Sequence, residues 1–137
     1  MIDDSVRRRV AGWPVARLAT VDAGGQPRVQ PCCFALDGDV LYSAVDAKPK
    51  RTGRLRRLDD IAAHPAVSLV VDRYDDDWTL LWWVRLDGRA RLVTDGPEHA
   101  HAIRLLADKY AQYRAHPPQG TVIAVEVQRW RAWSWSA

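Results

Sequence analysis

Strand-like segments follow one another along this chain with too few helices between them for a parallel sheet. Six segments have the alternation or the β-branched content of a strand, and helix-like segments separate them at only two places. A parallel sheet needs a crossover, usually a helix, after nearly every strand. The sequence therefore predicts a mainly β, antiparallel barrel with flanking helices. The predicted strands cover residues 15–21, 27–36, 40–45, 67–74, 80–93 and 121–135.

Two residues mark irregular places within these strands. Pro31 lacks a backbone N–H and so predicts an edge, a bulge or a cofactor contact in strand 27–36. Gly88 predicts a bulge in strand 80–93. The glycine-rich stretch 22–26 favours a tight turn, which makes the first two strands a hairpin.

Helices are predicted around the strands from the spacing of apolar residues. One precedes the first strand, and a short amphipathic helix over 51–63 ends where His64 meets Pro65. A third begins at 96–98 and continues until His116. The chain contains no internal repeats, low-complexity tracts or linkers.

Length and composition predict a single domain over residues 1–137. The chain has 137 residues and 47% hydrophobic content, enough for one buried core. The N-terminal residues are charged where a signal peptide is apolar, and no apolar run approaches the length of a membrane span, so we expect a soluble cytoplasmic protein. Cys32 and Cys33 point to opposite faces of a strand, which predicts two reduced thiols that pack rather than a disulfide.

The common catalytic and metal-binding motifs are absent from the sequence. It contains no GxSxG motif, no Walker loop and no GxGxxG motif. His99 and His101 lie two residues apart on a predicted helix and so on different faces, and the consecutive acids 75–77 suit a hairpin tip. We therefore predict no metal site.

Positive charge is concentrated just before and within the helix 51–63. The formal net charge is only +3, yet six basic residues fall within 48–57. Backbone N–H groups at a helix N-terminus together with such side chains suit a phosphate, although a solvated helix face is the simpler alternative. An anion site without a nucleophile favours chemistry carried by a cofactor. The predicted phosphate-binding residues are Lys48, Lys50, Arg51, Thr52 and Arg54.

Four stretches of sequence together resemble a known family. They are RLATVDAGGQPRVQPCCF, LYSAVDAKPKRTGRLRRL, VSLVVDRYDDDW and WWVRLDGRARLV. In order and spacing they are similar to the pyridoxamine-phosphate-oxidase-like split-barrel superfamily, and within it to the F420-dependent flavin/deazaflavin oxidoreductases. The resemblance runs from about Val15 to the last strand. It implies a six-stranded split barrel of the FMN-binding type and a homodimer with two equivalent cofactor sites at the subunit interface.

The resemblance implies that the basic segment holds the phosphate and an acidic tail of the cofactor. It also implies cofactor contacts elsewhere in the chain. Ser43 and Ala44 would lie beneath the isoalloxazine-like ring, and Trp78, or else Trp82 or Trp83, would supply an aromatic contact. Core or interface roles remain open for Val29, Cys32 and these tryptophans, while Trp130, Trp133 and Trp135 are interpreted as packing residues. The residues expected to line the ring are Arg28, Val29, Gln30, Pro31 and Cys32.

Coenzyme F420 is the cofactor that the sequence favours. The basic segment is richer than one FMN phosphate needs, and the C-terminal substrate-binding extension of true pyridoxamine phosphate oxidases is not found, which argues against a vitamin B6 phosphate. We predict hydride transfer between the deazaflavin and a small electron-poor substrate, with the proton from solvent or from a tyrosine such as Tyr42. Alternatives are FMN or FAD, a haem or biliverdin-type tetrapyrrole, and a non-catalytic carrier. Nucleic-acid binding is disfavoured because the aromatic residues lie on other segments than the basic one.

Overall fold

The computed structural model describes residues 2–45 and 56–135, and within them the strands form one antiparallel sheet. Asp3 caps the first helix by accepting a hydrogen bond from the Ser5 backbone N–H at 2.7 Å. The elements in chain order are α1 (Asp4–Ala11), β1 (Ala16–Val21), β2 (Pro27–Cys32), β3 (Ala35–Asp37), β4 (Val40–Ala44), α2 (Arg56–Ala63), β5 (Ala66–Arg73), a 3₁₀ turn (Trp78–Leu80), β6 (Trp82–Val93), α3 (Gly96–Lys109), α4 (Ala111–Ala115) and β7 (Val122–Ser134).

The order of the strands closes the sheet into a barrel. Hydrogen-bonded neighbours run β2-β1-β5-β6-β7-β4-β3, so β2 and β3 lie at opposite edges. Yet these two strands are consecutive in sequence and are separated only by Cys33 and Phe34. Two intervening residues bridge at most about 11 Å. The two edges of the sheet must therefore lie close together.

The prediction of six strands was wrong, because the segment 27–36 forms two strands and the described residues contain seven. The chain leaves β2 after Cys32, crosses between the sheet edges, and pairs with β4 from Ala35 onward. At the crossing, the backbone N–H of Phe34 donates its hydrogen bond to a side chain and not to a neighbouring strand. The acceptor is the Tyr110 hydroxyl, at 3.0 Å. The prediction that Pro31 marks an edge is confirmed, since β2 pairs only with β1.

A bulge occurs at Gly88 as predicted, but it belongs to β7 and not to strand 80–93. Asp87 pairs with Arg129 and Gly88 with Val127, so the register shifts between the two positions. Gln128 is the extra residue, and it belongs to β7. Gly88 itself lies so close to the backbone of β7 that an added Cβ would meet three backbone atoms of Glu126 and Val127 within 3.0 Å.

The helix predicted to run to His116 is broken at Tyr110 into α3 and α4. Tyr110 has extended backbone angles (φ −116°, ψ 121°). Its hydroxyl accepts from the Phe34 N–H and lies 2.8 Å from the Pro14 carbonyl oxygen and 3.1 Å from that of Phe34. The tyrosine therefore fixes the β2–β3 crossing. The end of the helix 51–63 at Ala63 is confirmed, while the start predicted for it lies outside the described residues.

The core has two clusters, one on the inner face of the sheet and one between its outer face and α3. Alternate residues of β5 and β6 point inward, among them Leu69, Val71 and Leu86, and they pack with Ile61 of α2. A second cluster places Leu106 of α3 against β4 and β7. Among the described residues, no helix is both long and apolar enough to cross a lipid bilayer.

Candidate functional site

A cleft of about 250 Å³ lies at the corner where the chain crosses from β2 to β3. The end of β2, the end of β4, the helix α2 and the short helix α4 form its walls. The lining is mixed, with two thiols, a guanidinium and a phenol among small apolar residues. The residues that line it are Val15, Pro31, Cys32, Cys33, Ala44, Arg57 and Tyr113.

A buried carboxylate fixes the position of α2 beside this cleft. Asp60 is 3% exposed, accepts a hydrogen bond from the Thr20 hydroxyl at 3.0 Å, and lies 3.2 Å from Arg28 Nε. Arg28 also pairs with Asp22 at 2.8 Å. These contacts join α2 to β1 and β2. Because Arg57 lies one turn before Asp60, the same contacts present its guanidinium to the cleft.

Two buried cationic atoms at the cleft lack hydrogen-bond acceptors among the described residues. They are Nε of Arg57, which lines the cleft, and Nζ of Lys109, the last residue of α3. The Lys109 ammonium lies 3.5 Å from the centroid of the Phe34 ring. Burial lowers the pKa of Lys109 to about 8, and the thiols of Cys33 and Cys32 oppose that shift. Unpartnered buried cations are costly, and a bound anion would offset the cost.

We expect this buried lysine to make stability depend on pH in the alkaline range. Its folded pKa is about 8, below the ordinary value of 10.5. Between these values the unfolded chain binds a proton that the folded protein has lost, so stability rises with pH. In Lys109→Met that rise should disappear, and the variant should be the more stable protein at pH 7. Urea unfolding at pH 7 to 10.5 checks this; parallel curves for the two proteins would contradict it.

The two neighbouring thiols have different environments. Cys32 is 9% exposed, and its burial raises the pKa of the thiol, while a hydrogen bond with Ser43 opposes that shift. Cys33 is partly exposed and lines the cleft. Both cysteines are free thiols. The thiol at the end of β2 is therefore packed, while the thiol in the crossing to β3 is presented to the cleft.

The structure brings part of the predicted cofactor site together at this cleft. Pro31, Cys32 and Ala44 line it, and Ser43 contacts the Cys32 thiol from below. Five further predicted residues, Lys48, Lys50, Arg51, Thr52 and Arg54, lie outside the described residues, in the segment between β4 and α2. Their phosphate contacts stay predictions.

The remaining residues predicted on β2 do not line the cleft. Arg28 is held by Asp22 and Asp60, which neutralise its charge. Val29 is 66% exposed and so is not a core residue, and Gln30 is exposed as well. Side chains alternate along β2, so Val29 points to the face opposite to its neighbours. A cofactor ring bound against β2 of one chain could contact the side chains on only one of these two faces.

The tryptophans predicted to contact the cofactor lie away from the cleft. Trp82 is 8% exposed and packs edge-on against Trp13, with ring centroids 4.8 Å apart. Trp78 is 57% exposed and lies 6.3 Å from Trp135. Trp83 is on the outer face of β6, opposite Trp133 of β7. None of them lines the cleft of the single chain, so their cofactor role stays a prediction.

Tyr42, suggested from the sequence as a proton donor, is placed elsewhere. It is buried, and its hydroxyl donates to Glu98 Oε2 at 2.9 Å. Burial and the Glu98 carboxylate raise the pKa of Tyr42 to about 12. Tyr113 is the tyrosine that lines the cleft.

Four lining residues were not selected from the sequence: Val15, Cys33, Arg57 and Tyr113. Arg57 belonged to the basic run but was not separated from its neighbours, because charge alone does not show which residue turns inward. No sequence signal singled it out, because the burial of Asp60 three residues later is evident only from the structure. Tyr113 followed a helical spacing that suggested packing, and its place depends on the break at Tyr110.

Metal-ligating side chains do not gather in the part of the chain that the structure describes. No group of three or more His, Cys, Asp or Glu residues there is arranged to hold an ion. His101 Nε2 lies 2.7 Å from Asp37 Oδ2, and His99 Nε2 lies 2.8 Å from the Gly120 carbonyl oxygen. Each of these rings is thus used within the fold.

Fold and cleft together define a closed antiparallel barrel with an anion-favouring corner site. A family model described as pyridoxamine 5′-phosphate oxidase matches residues 2–134. The chain therefore belongs to the pyridoxamine 5′-phosphate oxidase family, which confirms the split-barrel fold expected from the sequence. No curated protein sequence matches the chain significantly.

Solved structures with this fold carry different descriptions. The conserved hypothetical protein Rv2991 from Mycobacterium tuberculosis is similar with a TM-score of 0.75 and 19% identity, covering 98% of this chain and 85% of that one. A FAD-binding protein from Mesorhizobium loti has a TM-score of 0.72 and 20% identity, covering 96% and 94%. HutZ, the heme storage protein from Vibrio cholerae, has a TM-score of 0.74 and 14% identity, covering 96% and 93%. At these identities the similarity shows the fold alone.

Proposed function

We propose that this protein is an oxidoreductase that holds the phosphate end of a flavin-type cofactor in the corner cleft. The observation that carries the proposal is the Arg57 guanidinium beside Pro31, Cys32 and Ala44, whose buried Nε has no hydrogen-bond acceptor among the described residues. A guanidinium binds phosphate oxygens through charge-assisted hydrogen bonds. Lys109 adds a second positive charge behind the cleft wall. Both cations would gain from a phosphate there.

The size of the cleft fits part of such a cofactor. Its volume of about 250 Å³ is less than sites for complete drug-sized ligands usually have, about 300–1,000 Å³. The phosphate end would therefore occupy the cleft and the ring would extend past it along β2. Coenzyme F420 is the favoured cofactor and FMN the alternative, because the predicted anion-binding residues 48–54 suit a tail with several negative charges.

The residues of the chain would hold the cofactor in place and exclude water from part of it. When bound, the cofactor supplies hydride transfer, and we propose a small electron-poor substrate as the acceptor. Arg57 would fix one end of the cofactor, while Val15, Pro31 and Ala44 would exclude water from that end. The proton of the reaction would come from solvent, because Tyr113, the tyrosine that lines the cleft, lies at the phosphate end.

We propose that a second copy of the chain completes the site. Along the register, Val29 of β2 aligns with Ala19 of β1 and Ser68 of β5 on the outer face of the sheet. Val29 is 66% exposed there, on the edge strand β2. A partner subunit on this face would cover Val29 and enclose a ring that a single chain leaves open.

Cofactor titration tests the proposal. Trp fluorescence of the purified protein should be quenched by F420 or by FMN at micromolar concentration, and sedimentation should give twice the 15.5 kDa chain mass. We expect Arg57→Gln to weaken binding about tenfold, since a charge-assisted hydrogen bond contributes roughly 1.5–3 kcal/mol. Arg56→Gln is the matched control, because Arg56 is exposed on the same helix and does not line the cleft.

The alternatives give different results in the same assay. Preference for FMN would indicate a flavin enzyme on this fold, and binding of haem alone would indicate a function closer to that named for the heme storage protein. Tight binding with no turnover across a panel of acceptors would indicate a carrier. Binding of neither F420 nor FMN, or equal losses in the two arginine variants, would overturn the proposal for Arg57.

A further inference from the structure

Cys33 has the surroundings of a reactive thiol. It is partly exposed and lines the corner cleft together with Arg57 and Tyr113. Lys109 interacts electrostatically with Cys33 from behind the cleft, and its ammonium has no hydrogen-bond acceptor among the described residues. Reactive cysteines are typically found in such electropositive, partly exposed places, because nearby positive charge stabilises the thiolate.

The adjacent Cys32 serves as an internal comparison. It has the same chemistry and nearly the same place in the chain, but it is 9% exposed and its thiol is hydrogen-bonded with Ser43. Burial disfavours its thiolate. Any reaction that depends on the cleft should therefore select Cys33 over its neighbour.

The two cations occupy different places at the cleft. Arg57 forms part of the cleft surface and so meets the charge of an incoming molecule. Lys109 Nζ is buried against the Phe34 ring and interacts electrostatically with the Cys33 thiol. The protein retains this buried ammonium although burial disfavours its charge, and no acceptor in the described fold offsets that cost. A site that stabilises both a thiolate and a bound anion would explain why Lys109 and Arg57 are found together here.

We propose that Cys33 is a thiol-exchange site selective for small anionic disulfides. The Cys33 thiolate attacks one sulfur of a carboxylate-bearing disulfide, the S–S bond of that molecule breaks, and a new S–S bond joins Cys33 to one half. The other half leaves as a thiolate with the electron pair of the broken S–S bond, so the Cys33 sulfur is oxidised and the leaving sulfur is reduced. The Cys33 proton passes to solvent. Arg57 binds the carboxylate, and Lys109 is a positioning residue that acts through the thiol.

This modification would fill the cleft and close it to other ligands. It is reversible by any small thiol, since exchange runs in both directions. The proposal does not depend on which cofactor the cleft binds. It is tested without added cofactor, so its failure would leave the proposed function standing.

The test compares an anionic and a neutral aromatic disulfide as probes. Rates with dithiobis(nitrobenzoate) and with dithiodipyridine are measured on the folded protein and divided by their rates with a small reference thiol. We expect the normalised anionic rate to exceed the neutral one about tenfold, the low end of electrostatic enhancement in a charged cleft. Arg57→Gln should remove the preference, and Arg56→Gln should keep it. Lys109→Met should slow both probes and keep their ratio.

Variants of the two cysteines locate the reaction. Cys33→Ser should abolish the fast reaction of the folded protein, and Cys32→Ala should preserve it. A fast reaction that survives Cys33→Ser, or equal normalised rates for the two probes in the parent protein, would overturn the proposal. Unchanged rates in Lys109→Met would overturn the part given to the lysine. Circular dichroism of each variant confirms that the rates refer to folded protein.

Discussion

Replacement of Gly88 by alanine should destabilise the protein by roughly 3 kcal/mol or more, the upper part of the range for overpacking. A Cβ at this position would come within 3.0 Å of three backbone atoms of Glu126 and Val127. Backbone atoms cannot move aside as the end of a flexible side chain can. Because β6 and β7 are held along their whole lengths, relief would require breaking the pairing around the bulge. Urea unfolding gives the free energy directly.

Gly24→Ala is the matched control for this substitution. Gly24 lies in the turn between β1 and β2, where an added Cβ would meet only Asp22 Oδ1, at 3.5 Å, an ordinary contact. We expect its free energy of unfolding to change by about 0.5 kcal/mol or less. Equal effects at the two glycines would show that the close approach at the bulge has little energetic weight.

Replacement of Tyr110 by phenylalanine should cost about 1–3 kcal/mol, the penalty for a buried donor left without a partner. The Tyr110 hydroxyl accepts from the Phe34 N–H at 3.0 Å and lies 2.8 Å from the Pro14 carbonyl oxygen. Phe34 is fully buried, so water cannot replace the lost hydroxyl. The loss should be concentrated at the β2–β3 crossing, and the Phe34 amide should exchange with solvent faster.

The exposed Tyr74 provides the control for this variant. Its side chain is 77% exposed, so Tyr74→Phe should leave both stability and amide exchange at Phe34 unchanged. If Tyr110→Phe matched this control in the urea midpoint, the hydroxyl would not be what holds the crossing. If stability fell without faster exchange at Phe34, the effect would arise elsewhere in α3 or α4.

Much of the fold could be predicted because it depends on local patterns. Alternation located the strands, Pro31 marked an edge, and Gly88 marked the bulge. The split of 27–36 into β2 and β3 could not be predicted in this way, because it depends on a hydroxyl 76 residues away. The break at Tyr110 has the same origin. Helical spacing continues through this residue, and only its tertiary bonds to Phe34 and Pro14 show why the helix stops.

The candidate site was predicted less completely for a related reason. Neighbouring β2 residues were grouped by position in the chain, yet alternation sends Val29 and Cys32 to different faces. Arg28 was assigned to a ligand, while its charge is used by Asp22 and Asp60. A buried carboxylate on α2 has no sequence signature that distinguishes it from a solvated one. Cys33 and Tyr113 could not be selected from the sequence, because only the folded chain brings them together at the corner cleft.

The place of β7 in the sheet has a consequence for the order in which the protein can assemble during synthesis. This strand lies between β6 and β4, and its Val125 pairs with Leu41 of β4 on one side and with Ala90 of β6 on the other. Until the ribosome releases it, β4 and β6 each keep one unpaired edge, and such edges are where nascent chains associate wrongly. The barrel therefore becomes complete only after β7 has been translated.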